Sequence, residues 1–422
     1  MTHILFIDSN LTGPIVMHHA KSLGHYVSFI ESGEFSWYKE NEKNKKILNS
    51  LDNYIKTKEI TDYDELYENI IAIEKIKKID AIICLSETAI EFAAKAAQDL
   101  SLPFPTVESV NRCRNKLYTR NTLNEKKIKN AKYYTAKNKK EAIDSANKIG
   151  YPVILKPISG RDSFFSYKVK NQTELESYWH EAERKICELP VSVRVQYERG
   201  FLIEEYLSGE MVSVEVAHNG KETKILMVSS RGRSEKNEMV EYRIDMPADI
   251  SEEEWLRCEE YAISVIQALE LHYGIFHLEM MITSRGPILV EANARIMGGF
   301  MPLLYLNFTE HDIYKLMFDI HLGRKPDIDI KKMTEKYATT IRLEALSEST
   351  INHEKMLKCI SNFSKNIIFS ETIESSGSSI SIKPQDVLGR IQLLCNSAQQ
   401  RDSMTKSLIN SIESECNVEL LH

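Results

Sequence analysis

The sequence has no surplus of positive charge: across its 422 residues, 54 Lys and Arg stand against 61 Asp and Glu, a formal net charge of -7. Nothing in that balance advertises nucleic acid as a bulk partner. Paired cysteines are missing as well. The seven present, Cys84, Cys113, Cys187, Cys258, Cys359, Cys395 and Cys416, are scattered, odd in number and form no C-x-x-C. That pattern argues against a disulfide frame or a zinc site and favours reduced thiols packed as small hydrophobes. No apolar run reaches the length that spans a bilayer, and the opening MTHILFIDSN has no basic head followed by a long apolar stretch. A cytoplasmic address is the expectation. There is no internal repeat, no low-complexity block, and no Ser-His-Asp or Cys-His constellation to nominate as a nucleophile.

What is there is a globular balance, 42% hydrophobic and 27% charged, in a chain long enough for two or three domains. HILFI (3–7), YVSFIE (26–31) and DAIICLS (80–86) read as strands separated by helical patterns, the first helix spanning 13–23. Strand, helix, strand at this spacing predicts a parallel sheet covered by helices. The turn DSNLTG after the first strand has a single glycine and does not match a dinucleotide fingerprint, so 1–105 is a Rossmann-like domain with no cofactor committed to it. SLPFPTVES (101–109) is the clearest linker, and GRKPDID (323–329) marks a second break. Between them, 106–330 forms one domain. Beyond, YATTIRLEAL, a Ser/Gly-rich turn, LGRIQLLCNS and a long final helix predict a small α+β region over 331–422.

The chemistry concentrates in HLEMMITSRGPILVEANARIMGG (277–299), which reads as two strands folded back on each other. A period of two puts Leu278, Met280, Ile282, Ile288, Val290, Ala292 and Ala294 on an apolar face. The opposite face holds His277, Glu279 and Met281 beside Leu289, Glu291, Asn293 and Arg295. With a three-residue loop, Ser284 to Gly286, Glu279 faces Glu291 across the ladder. Two carboxylates so placed repel; a divalent cation between them reverses the sign, and carboxylates plus an amide oxygen are the ligands magnesium takes beside nucleotide phosphates. A solvated edge with mixed charges is the other reading of the same face. Lys156 ends the apolar run VILKP and Lys116 opens a helix after the linker; each alone is an ordinary solvated end. FLIEEYLSGEMVSVEVAHNG (201–220) reads, taken alone, as an edge hairpin with an acidic rim.

Taken in order, SETAIEFAAKAAQDLSLPFPTVESVNRCRNKLYTR, YPVILKPISGRDS, LIEEYLSGEMVSVEV, GIFHLEM and LVEANARIMGG resemble the ATP-grasp superfamily, and most closely its L-amino acid ligase branch, the dipeptide-forming carboxylate-amine ligases. The motifs run from Ser86 to Gly299, and the flanking regions look like that branch as well. The resemblance implies an ATP-grasp fold over 106–330, an overall α/β and α+β architecture, and a small C-terminal region over 331–422 that completes the ligase core. It implies ATP and two Mg2+ ions, with Mn2+ as a substitute, small-molecule carboxylate and amine substrates of the amino acid type, and a homodimer. Lys116 and Lys156 would contact phosphates. Glu204 would reach the adenine amino group, with backbone around Glu205, Tyr206 and Leu207 holding the purine. Glu279, Glu291 and Asn293 would bind the two metal ions, Glu291 bridging them. Arg295 would stabilise charge on an acyl phosphate, and Gly298 and Gly299 would let backbone approach a substrate carboxylate.

The loop SGRDSFFSYKV (159–169) departs from the family, which has a richer glycine and serine lid there. Ser159, Gly160 and Ser163 remain to meet phosphate, Phe164 and Phe165 replace small residues, and Arg161 is either a phosphate clamp or a surface arginine. His277 is either an orienting or substrate group or a satisfied structural histidine. Arg231, Arg233 and Arg243 fall where the family builds its substrate pocket, Arg243 being the candidate for a substrate carboxylate; a solvated charged loop is the alternative. The same ATP site serves carboxylases and ribonucleotide-synthesis ligases of the superfamily, and a catalytically silent nucleotide-binding module is the reading from another class.

Overall fold

A computed structural model describes residues 1–32, 42–159, 165–189, 194, 197, 199–236, 238, 240–309, 311–325, 336–373 and 378–422. The N-terminal part is a four-stranded parallel sheet in the order Asn53–Thr57, Tyr26–Ser32, His3–Ile7, Ala81–Ile83. Its first strand is buried throughout, with Leu5 and Ile7 in one core and Ile4 and Phe6 in another. A continuous apolar run covered on both faces is what HILFI demanded.

The prolines of SLPFP leave 100–106 without regular structure, after which Thr106 caps the helix Val107–Arg114 by accepting from the Ser109 amide at 3.1 Å. Asn115 ends that helix and caps the next, Lys116–Glu125, by accepting from the Leu117 and Tyr118 amides. Lys116 is thus held at the first position of a helix, and its own amide donates to Ile158 O at 2.9 Å.

Two antiparallel sheets carry the rest. The small one runs Tyr133–Ala136, Phe201–Glu205, Val153–Pro157, Tyr167–Val169, with Trp179, Leu175 and Phe201 in the core beneath helices Lys139–Ile149 and Gln172–Cys187. The long one has eight strands: Gly286–Asn293, Gly274–Thr283, Glu210–His218, Thr223–Arg233, Glu241–Met246, Tyr337–Glu344, Val387–Cys395, Ile367–Thr372. Three strands from 336–395 therefore extend the central sheet, and only Ser349–Asn352 and Ser379–Ile382 pair apart from it.

One sequence reading is overturned here. Phe201–Glu205 and Glu210–His218 are not an edge hairpin; they belong to different sheets. The segment 206–209 crosses between them, and Gly209 (φ +151°) is required there because a Cβ would lie 1.9 Å from Ile282 O.

The 277–299 hairpin differs from expectation twice, and the two differences cancel. Its turn is tighter, with Thr283 opposite Gly286 (φ +95°), which shifts the ladder by one residue; a bulge between Glu279 and Met280 shifts it back. Glu279 still faces Glu291, but Met280 faces Leu289. Leu289, expected on the polar face, is fully buried in the core, and Val290, expected in the core, lines the cleft between the sheets. Side chains satisfy the bulged backbone: Arg120 Nη1 donates to Leu289 O at 2.8 Å, and the Leu289 amide donates to Tyr261 Oη at 2.9 Å.

All seven cysteines are unpaired and all but Cys187 are buried. Among the described residues no helix is long and apolar enough to cross a membrane.

Candidate active site

Between the small and long sheets lies a cleft lined by residues of both. Lys116, Lys156, Glu204, Glu279 and Glu291 all line it, so five residues separated by up to 175 positions in the chain meet at one place. Glu205, Tyr206 and Leu207 line its inner edge, where the chain crosses between sheets.

The first wall is a cation cluster around one carboxylate. Glu204, 4% exposed, accepts from Arg120 Nε at 2.8 Å, from Arg120 Nη2 at 3.0 Å and from Lys156 Nζ at 2.8 Å. Burial pushes this carboxyl up, but Arg120 and Lys156 outweigh it and hold it at about 2. Lys156 moves the other way: burial pushes it below the usual lysine range, Glu204 lifts it only in part, and Arg120 and Lys116 push it down again. The two shifts disagree in what they say of the pair because one carboxylate is shared by two cations. The trio carries a net positive charge into the cleft, which suits an anionic ligand. With both oxygens engaged, Glu204 anchors the two cations.

The second wall is the hairpin. Lys116 Nζ lies 2.8 Å from Glu291 Oε1, bringing the helix start against the strand. Glu279 Oε1 accepts from His277 Nε2 at 3.1 Å and from Arg231 Nη2 at 3.3 Å, and Arg231 also pairs with Glu241. Burial raises Glu279, but Arg231 and then His277 bring it down to about 2. His277 is buried, which alone would lower it; Glu215, accepting from Nδ1 at 2.7 Å, and Glu279 lift it to about 9. Its partners make it a group that orients Glu279. Asn293 stands two residues beyond Glu291, opposite His277.

Among the described residues no group of three or more His, Cys, Asp or Glu is gathered as a metal cage. Two facing carboxylates with an amide two residues on still fit magnesium, which takes few protein ligands and completes its octahedron with phosphate and water.

At the far end, Arg295 Nη2 donates to Glu87 Oε2 at 2.8 Å, with its buried Nε unpartnered among the described residues, and Glu87 lines both the main cleft and a smaller recess shared with Asn293 and Arg295. Gly299 has φ +56°, and its carbonyl accepts from Thr12 Oγ1 at 3.3 Å, tying this loop to the start of the first helix, Gly13–Ser22. Arg243 does not reach the cleft. It pairs with Asp245 at 2.9 Å and Asp402 at 3.0 Å. Arg233 does line the cleft, with Nη2 3.7 Å from Met281 Sδ. Ser163, Gly160, Arg161 and Phe164 lie outside the described residues. Arg120, Glu87, Glu215 and Glu241 were passed over in the sequence. Of these, Arg120 alone left a usable signal, four residues after Lys116 and hence on the same helix face.

Residues 149–302 match the model of the ATP-grasp domain and residues 17–104 that of the ATP-grasp N-terminal domain. The chain is similar to the crystal structure of an L-amino acid ligase from Bacillus licheniformis, with TM-score 0.79 and 19% identity over 100% of this chain and 99% of that one. It is also similar to carboxyaminoimidazole ribonucleotide synthase from Aspergillus clavatus, solved with ATP (TM-score 0.74, 14% identity, 98% and 99% covered). A biotin carboxylase from Campylobacter jejuni aligns with TM-score 0.70 at 16% identity over 100% and 92%. At these identities the structural likenesses establish the fold.

Proposed function

The chain is an ATP-grasp protein, and from that premise we propose that it is an ATP- and magnesium-dependent ligase joining an amino acid carboxylate to an amine, often that of a second amino acid. The observation that carries this reading is the facing pair Glu279 and Glu291 opposed by Lys116 and Lys156 across one cleft. Such a set holds a metal-bound polyphosphate and offers no nucleophile of its own, which fits a reaction run by positioning and charge neutralisation.

In the first step a substrate carboxylate oxygen attacks the γ-phosphorus of ATP, the bond to the β–γ bridging oxygen breaks, and ADP leaves. The amine nitrogen then attacks the acyl carbon, the bond to phosphate breaks, and the nitrogen gives up its proton as the amide forms. Glu279, Glu291 and Asn293 would hold magnesium, which would supply charge neutralisation at the phosphates. Lys156 and Arg120, with one carboxylate between them, hold surplus positive charge toward the polyphosphate. Arg295 sits where Glu87 and the hairpin end meet, and its guanidinium stabilises charge developing on the acyl phosphate.

The test is to incubate the protein with ATP, Mg2+ and pairs of amino acids and to quantify ADP, phosphate and amide. The reading expects the three in equal amounts. Release of AMP, or no turnover with any carboxylate, would overturn it, and turnover only with bicarbonate would point to a carboxylase.

A further inference from the structure

The deepest charged group beside the cleft is one the reaction above leaves unused. Glu215 lies in the strand Glu210–His218 with 0% exposure, directly opposite His277 on the neighbouring strand. A polar group taken so far from water is costly to bury unless it is tied into a larger arrangement. Here it is. Its Oε1 accepts from His277 Nδ1 at 2.7 Å, and the Nε2 of the same ring donates to Glu279 Oε1 at 3.1 Å. The imidazole is thus a strut pinned at both ends, one ring nitrogen against each carboxyl group. From the other side Arg231 Nη2 reaches the same Glu279 oxygen at 3.3 Å while pairing with Glu241. Glu215, His277, Glu279, Arg231 and Glu241 thus form a row of alternating charge across neighbouring strands of the long sheet. The row occupies Oε1 of Glu279, and Oε2 makes no hydrogen bond among the described residues.

Resting on the reading of Glu279 as a magnesium ligand, we propose that Glu215 is a positioning residue for that ligand, acting through His277. It fixes the rotation of the Glu279 carboxylate so that one oxygen stays free for a divalent cation. Hydrogen-bonded partners behind a metal ligand commonly govern affinity in this way, removal costing about 10- to 100-fold.

The experiment measures Mn2+ binding to the full chain, by electron paramagnetic resonance or calorimetry, with a non-hydrolysable ATP analogue present. It compares wild type with Glu215→Gln, Glu215→Asp, His277→Gln and Glu279→Gln. Glu215→Gln is expected to weaken Mn2+ binding about 10- to 100-fold, with affinity for the metal-free analogue unchanged. Glu215→Asp, which keeps the charge on a shorter stem, recovers part of the loss. His277→Gln cuts the same link from its other end and is expected to give a similar loss even if Glu215→Gln folds poorly. Mn2+ affinity within twofold of wild type in both variants overturns the inference, as does a lowered melting temperature with metal affinity intact. If Glu279→Gln leaves Mn2+ binding unchanged, the metal-site reading itself fails, and does so independently of Glu215.

Discussion

Replacing Glu204 by Gln removes the one carboxylate shared by Arg120 and Lys156 and leaves two buried cations side by side. The loss is calculable in two ways. The carboxyl falls from its ordinary 4.5 to about 2 in the folded chain, and a difference of about 2.5 at about 1.4 kcal/mol each gives roughly 3 kcal/mol. Breaking a buried ion pair by removing one partner costs about 3–5 kcal/mol, the same range reached independently. Because the folded pKa is depressed, the contribution is fully present above pH 4.5 and is lost as pH falls toward 2. Urea unfolding of wild type and Glu204→Gln, followed by the fluorescence of Trp179 in the helix packed on the small sheet, reads this directly. At pH 7 the variant is expected to lose about 3 kcal/mol, and the deficit shrinks as pH falls below 4.5. A deficit under about 1 kcal/mol at pH 7 would refute the reasoning, since it would place the cluster in solvent-screened surroundings.

Four further outcomes follow from the same geometry. Arg295→Ala is expected to lower kcat by about 100- to 1000-fold with little change in KM for ATP, because its guanidinium acts on charge that develops during the reaction; steady-state kinetics check this. Leu289→Ala should cost about 2–5 kcal/mol and Val290→Ala about 1 kcal/mol or less, which urea midpoints would show, because the bulge puts the first in the core and the second in the cleft. His321 is 6% exposed, with Nδ1 3.3 Å from Pro103 O, and burial lowers its pKa to about 4. Below pH 6.5 the unfolded chain binds a proton that the folded chain refuses, so stability falls by about 1.4 kcal/mol per pH unit down to about pH 4; in His321→Gln, urea midpoints against pH should lack that slope. Lys168 pairs with Glu238 at 2.6 Å and lies over the Tyr206 ring at the cleft edge, but both charges are partly exposed, so Lys168→Met should shift a urea midpoint by no more than about 1 kcal/mol.

Three of the four strands of the parallel N-terminal sheet were legible because they are short, largely apolar and separated by helical periods; Asn53–Thr57, the polar NYIKT at the sheet's edge, was not. The facing of Glu279 and Glu291 was legible for a weaker reason: a tighter turn and a bulge each move the register by one and together restore it. No local pattern announces such a bulge, because its backbone is satisfied by Arg120 and Tyr261, residues distant in sequence. The hairpin reading of 201–220 failed for a related reason, since alternation shows which face of a strand is buried and not which sheet the strand joins. Lys116, Lys156, Glu204, Glu279 and Glu291 were found through ordered motifs, and the structure brings all five to one cleft. Glu215 was invisible, for an acid in SVEVA reads as a solvent-facing position until the long sheet is assembled around it. Arg243 illustrates the converse, a cation singled out in sequence that pairs with Asp245 and Asp402.

The proposed reaction turns on the transfer of a carboxylate oxygen to phosphorus in this cleft. A substrate amino acid labelled with 18O in its carboxylate, incubated with ATP, Mg2+, an amine partner and the protein, tests that transfer without relying on any one residue. An acyl phosphate intermediate gives released phosphate carrying one 18O per amide formed, with none above background for Glu291→Gln. Unlabelled phosphate released alongside the amide would contradict it.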